Sequence, residues 1–282
     1  MKYFPVFLAL ALLLTSGCRS GEEIFVSDLS GEWKFAADPE DKGIAEKWFL
    51  QKMKDRITLP GSMATNGKGD KVSLSTRWTG QIVDSSFFKN PDYARYREPE
   101  NFKIPFWLQP VTHYVGAAWY QKEITIPDDW REKNISLFLE RCHWETRLWI
   151  DDREAGMQNS LGTPHNYDLS GLLSPGKHTL TLRVDNRIKE IDPGINSHSI
   201  SDHTQTNWNG ITGKIRLVAR PAVYIRNIRL YPDIRKKEVL AMIRVFNGRE
   251  KPVQTRLNAI INGPTIPGGK QSDFELPPGE ST

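Results

Sequence analysis

The residues best suited to recognition chemistry stand between two strand-like runs. Asp185-Asn186-Arg187 closes the run Thr179-Leu180-Thr181-Leu182-Arg183-Val184, and His203-Thr204-Gln205-Thr206-Asn207-Trp208-Asn209-Gly210 leads towards Lys214-Ile215-Arg216-Leu217-Val218. Both flanking runs alternate apolar with polar residues. The stretch between them therefore reads as a loop on a β scaffold, where binding groups concentrate. Neutral amides, a hydroxyl, an imidazole and an indole suit a polyhydroxylated, uncharged ligand better than phosphate or a metal ion. The candidate substrate-binding residues are His203, Gln205, Asn207, Trp208 and Asn209, and the expected partner is a carbohydrate. The same residue types also make ordinary turns, because Asn, Thr and Gly bond neighbouring backbone and tolerate left-handed geometry. Trp208 equally suits a core anchor at the mouth of a sandwich.

Other chemistries find less support. Retaining glycoside hydrolysis needs two carboxyl groups about 5–5.5 Å apart, and Glu22-Glu23, Asp128-Asp129 and Asp151-Asp152 are sequence neighbours. Adjacent residues on a strand point to opposite faces, so these pairs read as turn formers or solvated charge. His198 and His203 lack ligand spacing and a supporting Cys or Asp cluster for zinc. Gly67-Lys68-Gly69 lacks the spacing of a phosphate loop. No catalytic residue, metal or cofactor is assigned. The formal charge of +4, from Lys+Arg 38 against Asp+Glu 34, carries no basic block and gives no reason to expect nucleic acid.

The elements that must hold the loop show period-two alternation from Ala117 onwards. Tyr120, Ile124 and Ile126 share a face, then Ile135, Leu137 and Leu139, then Leu148 and Ile150. Leu180, Leu182 and Val184 follow, then Ile215, Leu217 and Ala219, and a further pair around residues 224–231. Such strands, parted by Pro, Gly and Asp turns, predict an all-β sandwich or jelly roll. The one helix expected is short, at residues 43–53. Pro232-Asp233-Ile234-Arg235 reads as a domain boundary, after which Val239 to Val245 and Val253 to Ile261 alternate again. An immunoglobulin-like sandwich takes about 100 residues, so residues 232–282 are expected to be only part of one. Residues 61–114 lack periodicity yet hold Trp78, Phe87, Phe88, Tyr93, Tyr96, Phe102, Phe106 and Trp107, interleaved with Arg95, Arg97, Glu98 and Asn101. They suit a sugar-binding wall, a satellite core under a long loop, or both.

The N-terminus reads as a targeting segment. Lys2 is followed by a mostly apolar stretch at 4–14 and by Thr15-Ser16-Gly17-Cys18, which resembles a bacterial lipoprotein cleavage box with Cys18 as the lipidated residue. Residues 1–18 are then a lipoprotein signal and 19–28 a linker. The expected location is the periplasmic face or cell surface of an outer membrane, with a lipid anchor as the membrane contact. Cys142 would have no disulfide partner and reads as a small buried hydrophobe.

Several segments occur together in order: Gly31-Glu32-Trp33-Lys34-Phe35, Leu59-Pro60-Gly61-Ser62, Ala118-Trp119-Tyr120-Gln121-Lys122, Leu148-Trp149-Ile150-Asp151, Pro164-His165, Asp185-Asn186 and Trp208-Asn209-Gly210-Ile211. As a set they resemble the N-terminal sugar-binding domain of glycoside hydrolase family 2, which includes β-galactosidases, β-glucuronidases and β-mannosidases. The resemblance implies a galactose-binding-like jelly roll over residues 29–231 and the start of an immunoglobulin-like domain over 232–282. It further implies a catalytic TIM barrel, with two glutamates, missing from this chain, and a sugar contact within Gln205 to Asn209. Family members often carry an acidic residue at that loop, where this chain has Gln205, Thr206 and Asn207. The chain alone is expected to be inactive. The alternatives are a free-standing carbohydrate-binding lipoprotein and a surface sandwich that mediates protein contacts.

Overall fold

The computed structural model describes residues 23–189, 191–194, 197–198, 200–203, 206–261 and 268–282. The strands in chain order are β1 (Phe25–Asp28), β2 (Gly31–Asp38), β3 (Asp55–Leu59), β4 (Gly61–Ser62), β5 (Asp70–Lys71), β6 (Thr112–His113), β7 (Ala117–Ile126), β8 (Asn134–His143) and β9 (Glu145–Ile150). There follow β10 (Arg153–Asn159), β11 (His165–Asp168), β12 (Gly176–Asp185), β13 (Gly210–Arg220), β14 (Val223–Asp233), β15 (Glu238–Asn247), β16 (Val253–Ile261), β17 (Gly268–Leu276) and β18 (Gly279–Ser281).

Two antiparallel sheets make the sandwich. One runs β1-β13-β8-β11, with β4 also on β13, and the other runs β10-β9-β12-β7-β2-β3. The alternation in the sequence sets which side chains turn inward. Ile135, Leu137 and Leu139 of β8 and Ile215, Leu217 and Ala219 of β13 join one core with Tyr120, Ile124 and Ile126 of β7 and Leu180, Leu182 and Val184 of β12. Cys142 lies in this core, and burial pushes its thiol pKa upward. The fold class expected from periodicity is therefore the fold observed.

Residues 43–53 do not form the expected α-helix. They make turns and a single 3-10 segment at Trp48–Leu50, entered through Lys47 in a left-handed conformation. Their task is to cover the outer face of the larger sheet, where Phe49 stacks on Trp149 at 5.1 Å and Trp149 on Trp119 at 5.1 Å. Gly43 passes so close that a Cβ would sit 2.5 Å from the Trp119 indole nitrogen. A regular helix has no room at that crossing.

Residues 61–114 form a satellite core. A short helix, α1 (Ser86–Lys89), carries Phe87 into a cluster with Val72, Phe102 and Ile104. Phe88, Phe102 and Phe106 surround Phe87 at 5.1, 6.3 and 6.2 Å, edge to face. Full burial of such a ring stabilises by about 1.5–3 kcal/mol, which explains how a stretch without periodicity holds a fixed shape. Phe88 and Phe106 keep one side in solvent.

The second unit begins earlier than the sequence suggested. β14 pairs with β15, in a sheet β14-β15-β18, and β16 pairs with β17. Pro232 and Asp233 lie inside β14 and the turn follows them, so the change of sheet falls at Pro221-Ala222. Asn134 on β8 anchors that crossing, donating to the carbonyls of Pro221 and Ala222 at 2.9 and 3.1 Å. A turn-forming Pro-Asp pair at the tip of a hairpin carries the same local signal as a linker.

Candidate functional site at the open end of the sandwich

β12 ends in Asp185 and β13 begins at Gly210, and the described residues between them lie at one end of the sandwich, bonded to Met63 beside β4, to Tyr114 and Gly116 beside β6, and to Thr79. The first part of this segment is a charged clamp. Asp185 is fully buried and accepts from Arg183 at 2.8 Å, from Arg187 Nη2 at 2.6 Å and from Lys189, with Nζ at 2.7 Å. Asp41 reaches across to Arg183 and Arg187 at 2.5 Å each, and Glu145 takes Arg183 at 3.1 Å. Burial alone would raise the Asp185 carboxyl pKa, but hydrogen bonds from Arg187 and Lys189 and the nearby Arg183 charge hold it well below the usual range. Every charge here is met by an opposite one, so the clamp fixes the loop's departure.

The second part is an amide brace. Asn186 Nδ2 donates to the Tyr114 and Asn207 carbonyls at 2.8 and 3.2 Å, and its Oδ1 accepts from the Gly116 amide at 2.9 Å. Asn207 returns the bond, donating from Nδ2 to the Asn186 carbonyl at 3.0 Å. Asn209 accepts from the Tyr120 hydroxyl at 2.7 Å and donates to the Gly116 and Val184 carbonyls at 2.9 and 3.0 Å. Its amide is spent inside the sandwich. Gly210 lies against β4, where a Cβ would meet the Gly61 carbonyl oxygen at 2.4 Å, and its φ of 147° also favours glycine.

The third part faces outward. Trp208 is half-buried, its ring tilted against His143 at 4.8 Å. His203 is half-buried and lies edge-on to Trp107 at 6.3 Å, and Trp107 meets Trp78 at 5.6 Å. Trp78 in turn meets His113 at 4.9 Å. Asp202, buried next to His203, ties the loop to the satellite core. It accepts from the Thr79 amide and hydroxyl at 2.6 and 2.7 Å, with His113 Nε2 3.6 Å away. Burial would raise the Asp202 carboxyl pKa, and the His113 and Thr79 contacts reverse that and lower it. Among the described residues, no hydrogen-bond partner is found for three buried polar atoms here: Asn207 Oδ1, His203 Nδ1 and His113 Nε2. A cavity of about 10 Å³, room for one water, lies among His113, Tyr114, Asn207 and Trp208.

Of the five residues singled out in the sequence, the structure gathers Asn207, Trp208 and Asn209 with His203 close by, while Gln205 lies outside the described residues. Asn209 is buried and spends both amide hydrogens, and one acceptor site of its oxygen, inside the sandwich. Trp78 and Trp107 come from the aromatic stretch at 61–114, while Asp202 and His113 escaped the sequence reading. A lone Asp and a lone His in separate loops carry no spacing signal, and only folding brings them together. Asp151, one of the paired acids, caps a turn by binding His178 at 2.7 Å and the Thr179 amide at 2.7 Å. Among the described residues, no three His, Cys, Asp or Glu side chains gather as a metal site.

Comparison with known proteins assigns this architecture. The family model described as "Glycosyl hydrolases family 2, sugar binding domain" matches residues 26–221, ending where the sheets change. The chain belongs to glycosyl hydrolase family 2. It is 22% identical over 225 residues to a β-glucuronidase of Paenibacillus borealis, covering 74% of this chain and 31% of that protein. It is 21% identical over 209 residues to a β-galactosidase of Arthrobacter sp. (strain B7), covering 73% of this chain and 19% of the relative. The crystal structure of Ruminococcus gnavus β-glucuronidase superposes with a TM-score of 0.57 at 17% identity, over 93% of this chain and 39% of that one. This family 2 chain thus spans about a third or less of the curated relatives' length, and the structural likeness supports the fold.

Proposed function

We propose that the sandwich is the sugar-recognition module of a family 2 glycosidase, and that it presents carbohydrate to a catalytic barrel supplied elsewhere in the polypeptide. The contact is made by Trp208 and the rings of Trp107 and His203, with Asn207 setting the loop. The observation that carries this reading is the contrast within one loop. Asp185, Asn186 and Asn209 are consumed by bracing, whereas Trp208 stays half-buried in the same loop as Asn207 Oδ1 and His203 Nδ1, for which no hydrogen-bond partner is found among the described residues. A buried polar group left unpaired costs about 1–3 kcal/mol, and such a cost is retained most readily where a ligand hydroxyl or an ordered water completes the set. The ring supplies the apolar face that a pyranose presents on its C–H side.

Tryptophan fluorescence titration with D-galactose and with D-glucuronic acid tests the reading. The wild-type chain should respond saturably to at least one of the two. Trp208→Ala should weaken that response about tenfold or more while shifting the melting temperature by no more than about 2 °C. Loss of stability by the roughly 3–5 kcal/mol typical of a core aromatic would make Trp208 a core anchor and sink the proposal. We further propose that Cys18 carries lipid and holds the protein at an outer membrane. The support is the run of small residues before Cys18 after an apolar stretch, and residues 1–18 lie outside the described residues.

A further inference from the structure

We infer that the sandwich carries a second carbohydrate site, a cleft that takes a short acidic oligosaccharide through Trp48, Lys52 and Lys54. The cleft holds about 600 Å³, within the roughly 300–1,000 Å³ usual for ligand sites. Its apolar floor is Ala36 and Met53, which cluster with the half-buried Trp48 on the outer face of the larger sheet, and it is bounded by the buried Phe35 and Met63 at the edge of the sandwich core. The Trp48 ring is fixed. It packs 6.2 Å from Trp119, and its indole nitrogen donates to Glu46 at 2.8 Å. A held, partly exposed indole over an apolar floor is the surface on which a pyranose C–H face gains most and loses least side-chain freedom.

The rim decides the class of sugar. Lys68 is bound to Asp55 at 2.6 and 2.7 Å, so its charge is already met. Lys52 and Lys54 line the same cleft, are exposed, and form no ion pair among the described residues. Asp70, also on the rim, leaves an acceptor for hydroxyls. An uncharged sugar would fill the floor but leave the two ammonium groups unused, while a carboxylate at either end of an oligosaccharide meets one of them. The cleft is separate from the Trp208 loop, although Met63, Lys68 and Tyr114 line both spaces and form the wall between them. The inference therefore stands or falls independently of the role given to Trp208.

Isothermal titration of the full chain with a hyaluronan tetrasaccharide, which alternates glucuronate with N-acetylglucosamine, provides the test, with chitotetraose as the neutral control. The acidic tetrasaccharide should bind at least about tenfold more tightly than chitotetraose and lose affinity as salt rises. The double variant K52Q/K54Q, altered only at exposed side chains, should lose about tenfold towards the acidic probe and most of the salt dependence. Trp48→Ala should weaken both probes, and Trp208→Ala should leave the acidic probe's affinity unchanged. Equal affinity for the two probes, absence of binding, or an unaltered K52Q/K54Q would each overturn the inference. Loss of binding in Trp208→Ala alone would assign the acidic sugar to the loop instead.

Discussion

Replacing Asn209 with alanine should destabilise the sandwich strongly. The side chain is 1% exposed and joins polar groups of two strands and the residue before one of them: the Tyr120 hydroxyl on β7, the Gly116 carbonyl before it, and the Val184 carbonyl on β12. Alanine leaves the fully buried Tyr120 hydroxyl with no partner, which costs about 1–3 kcal/mol. The two carbonyls lose a bond each, at about 0.5–1.5 kcal/mol apiece. The sum is roughly 2–6 kcal/mol. At the 2–4 °C per kcal/mol usual for units of 150–250 residues, a central value of about 4 kcal/mol lowers the melting temperature by about 8–16 °C. Circular dichroism melts of Asn209→Ala, Tyr120→Phe and the double variant form the assay. Because Tyr120→Phe removes the orphaned hydroxyl, Asn209→Ala should cost about 1–3 kcal/mol less in that background. An Asn209→Ala chain that melts like wild type and fails to bind sugar would refute the brace and restore Asn209 to the ligand site.

Four further outcomes follow from particular contacts. Asp185→Asn leaves Arg183, Arg187 and Lys189 facing only Asp41 and Glu145 and should cost about 1.5–3 kcal/mol. Since the Asp185 carboxyl pKa is lowered in the fold, its contribution is complete above the ordinary Asp value of about 3.9 and fades as pH falls below it. Wild-type melting temperature should therefore drop steeply under about pH 4, and Asp185→Asn should show a flatter acid limb in the same pH series of melts. Gly210→Ala drives a Cβ into the Gly61 carbonyl and should cost at least about 1–3 kcal/mol by urea titration; a neutral result would mean β4 does not seat on β13 as described. Cys142, 1% exposed with its thiol pKa raised, should react with a thiol reagent only after unfolding, and rapid native labelling would contradict its place in the core. Cys18→Ala should release the protein from the membrane fraction, and unchanged association would remove the lipid anchor.

The sandwich was legible because its signal is local. Tyr120, Ile124 and Ile126, or Leu180, Leu182 and Val184, declare an inward face within one strand, and the structure turns those faces to one core. The change of sheet was misplaced because Pro232 and Asp233 give the same signal at a hairpin tip as at a linker. The segment at 43–53, expected as a short helix, takes its shape from long-range packing instead. Its true partners, Trp119 and Trp149, are far away in sequence. The site was legible in outline and not in roles. Residue types drew attention to residues 203–209, yet nothing in Asn207-Trp208-Asn209 distinguishes an amide that faces the core from one that is free to meet a ligand. That difference depends on where Tyr120 places its hydroxyl, eighty-nine positions away in the chain.

The division of labour within that loop has a physical logic. A recognition ring gains affinity when it is held in the bound geometry before the ligand arrives, because ordering a side chain on binding costs about 0.5–1.5 kcal/mol. The loop's described residues lie outside the strand ladders, so their backbone needs other partners. Here they are side chains: Asn186 and Asn207 bond each other's carbonyls, Asn209 bonds Val184, and Asp202 takes the Asn207 amide at 3.3 Å and reaches Thr79. These residues look like recognition groups in the sequence because the same donors and acceptors that read sugar hydroxyls also read peptide groups. With the backbone held in this way, Trp208 can rest on His143 with one face open. The Asn and Asp side chains of the loop are accordingly a measure of how firmly the ring is held.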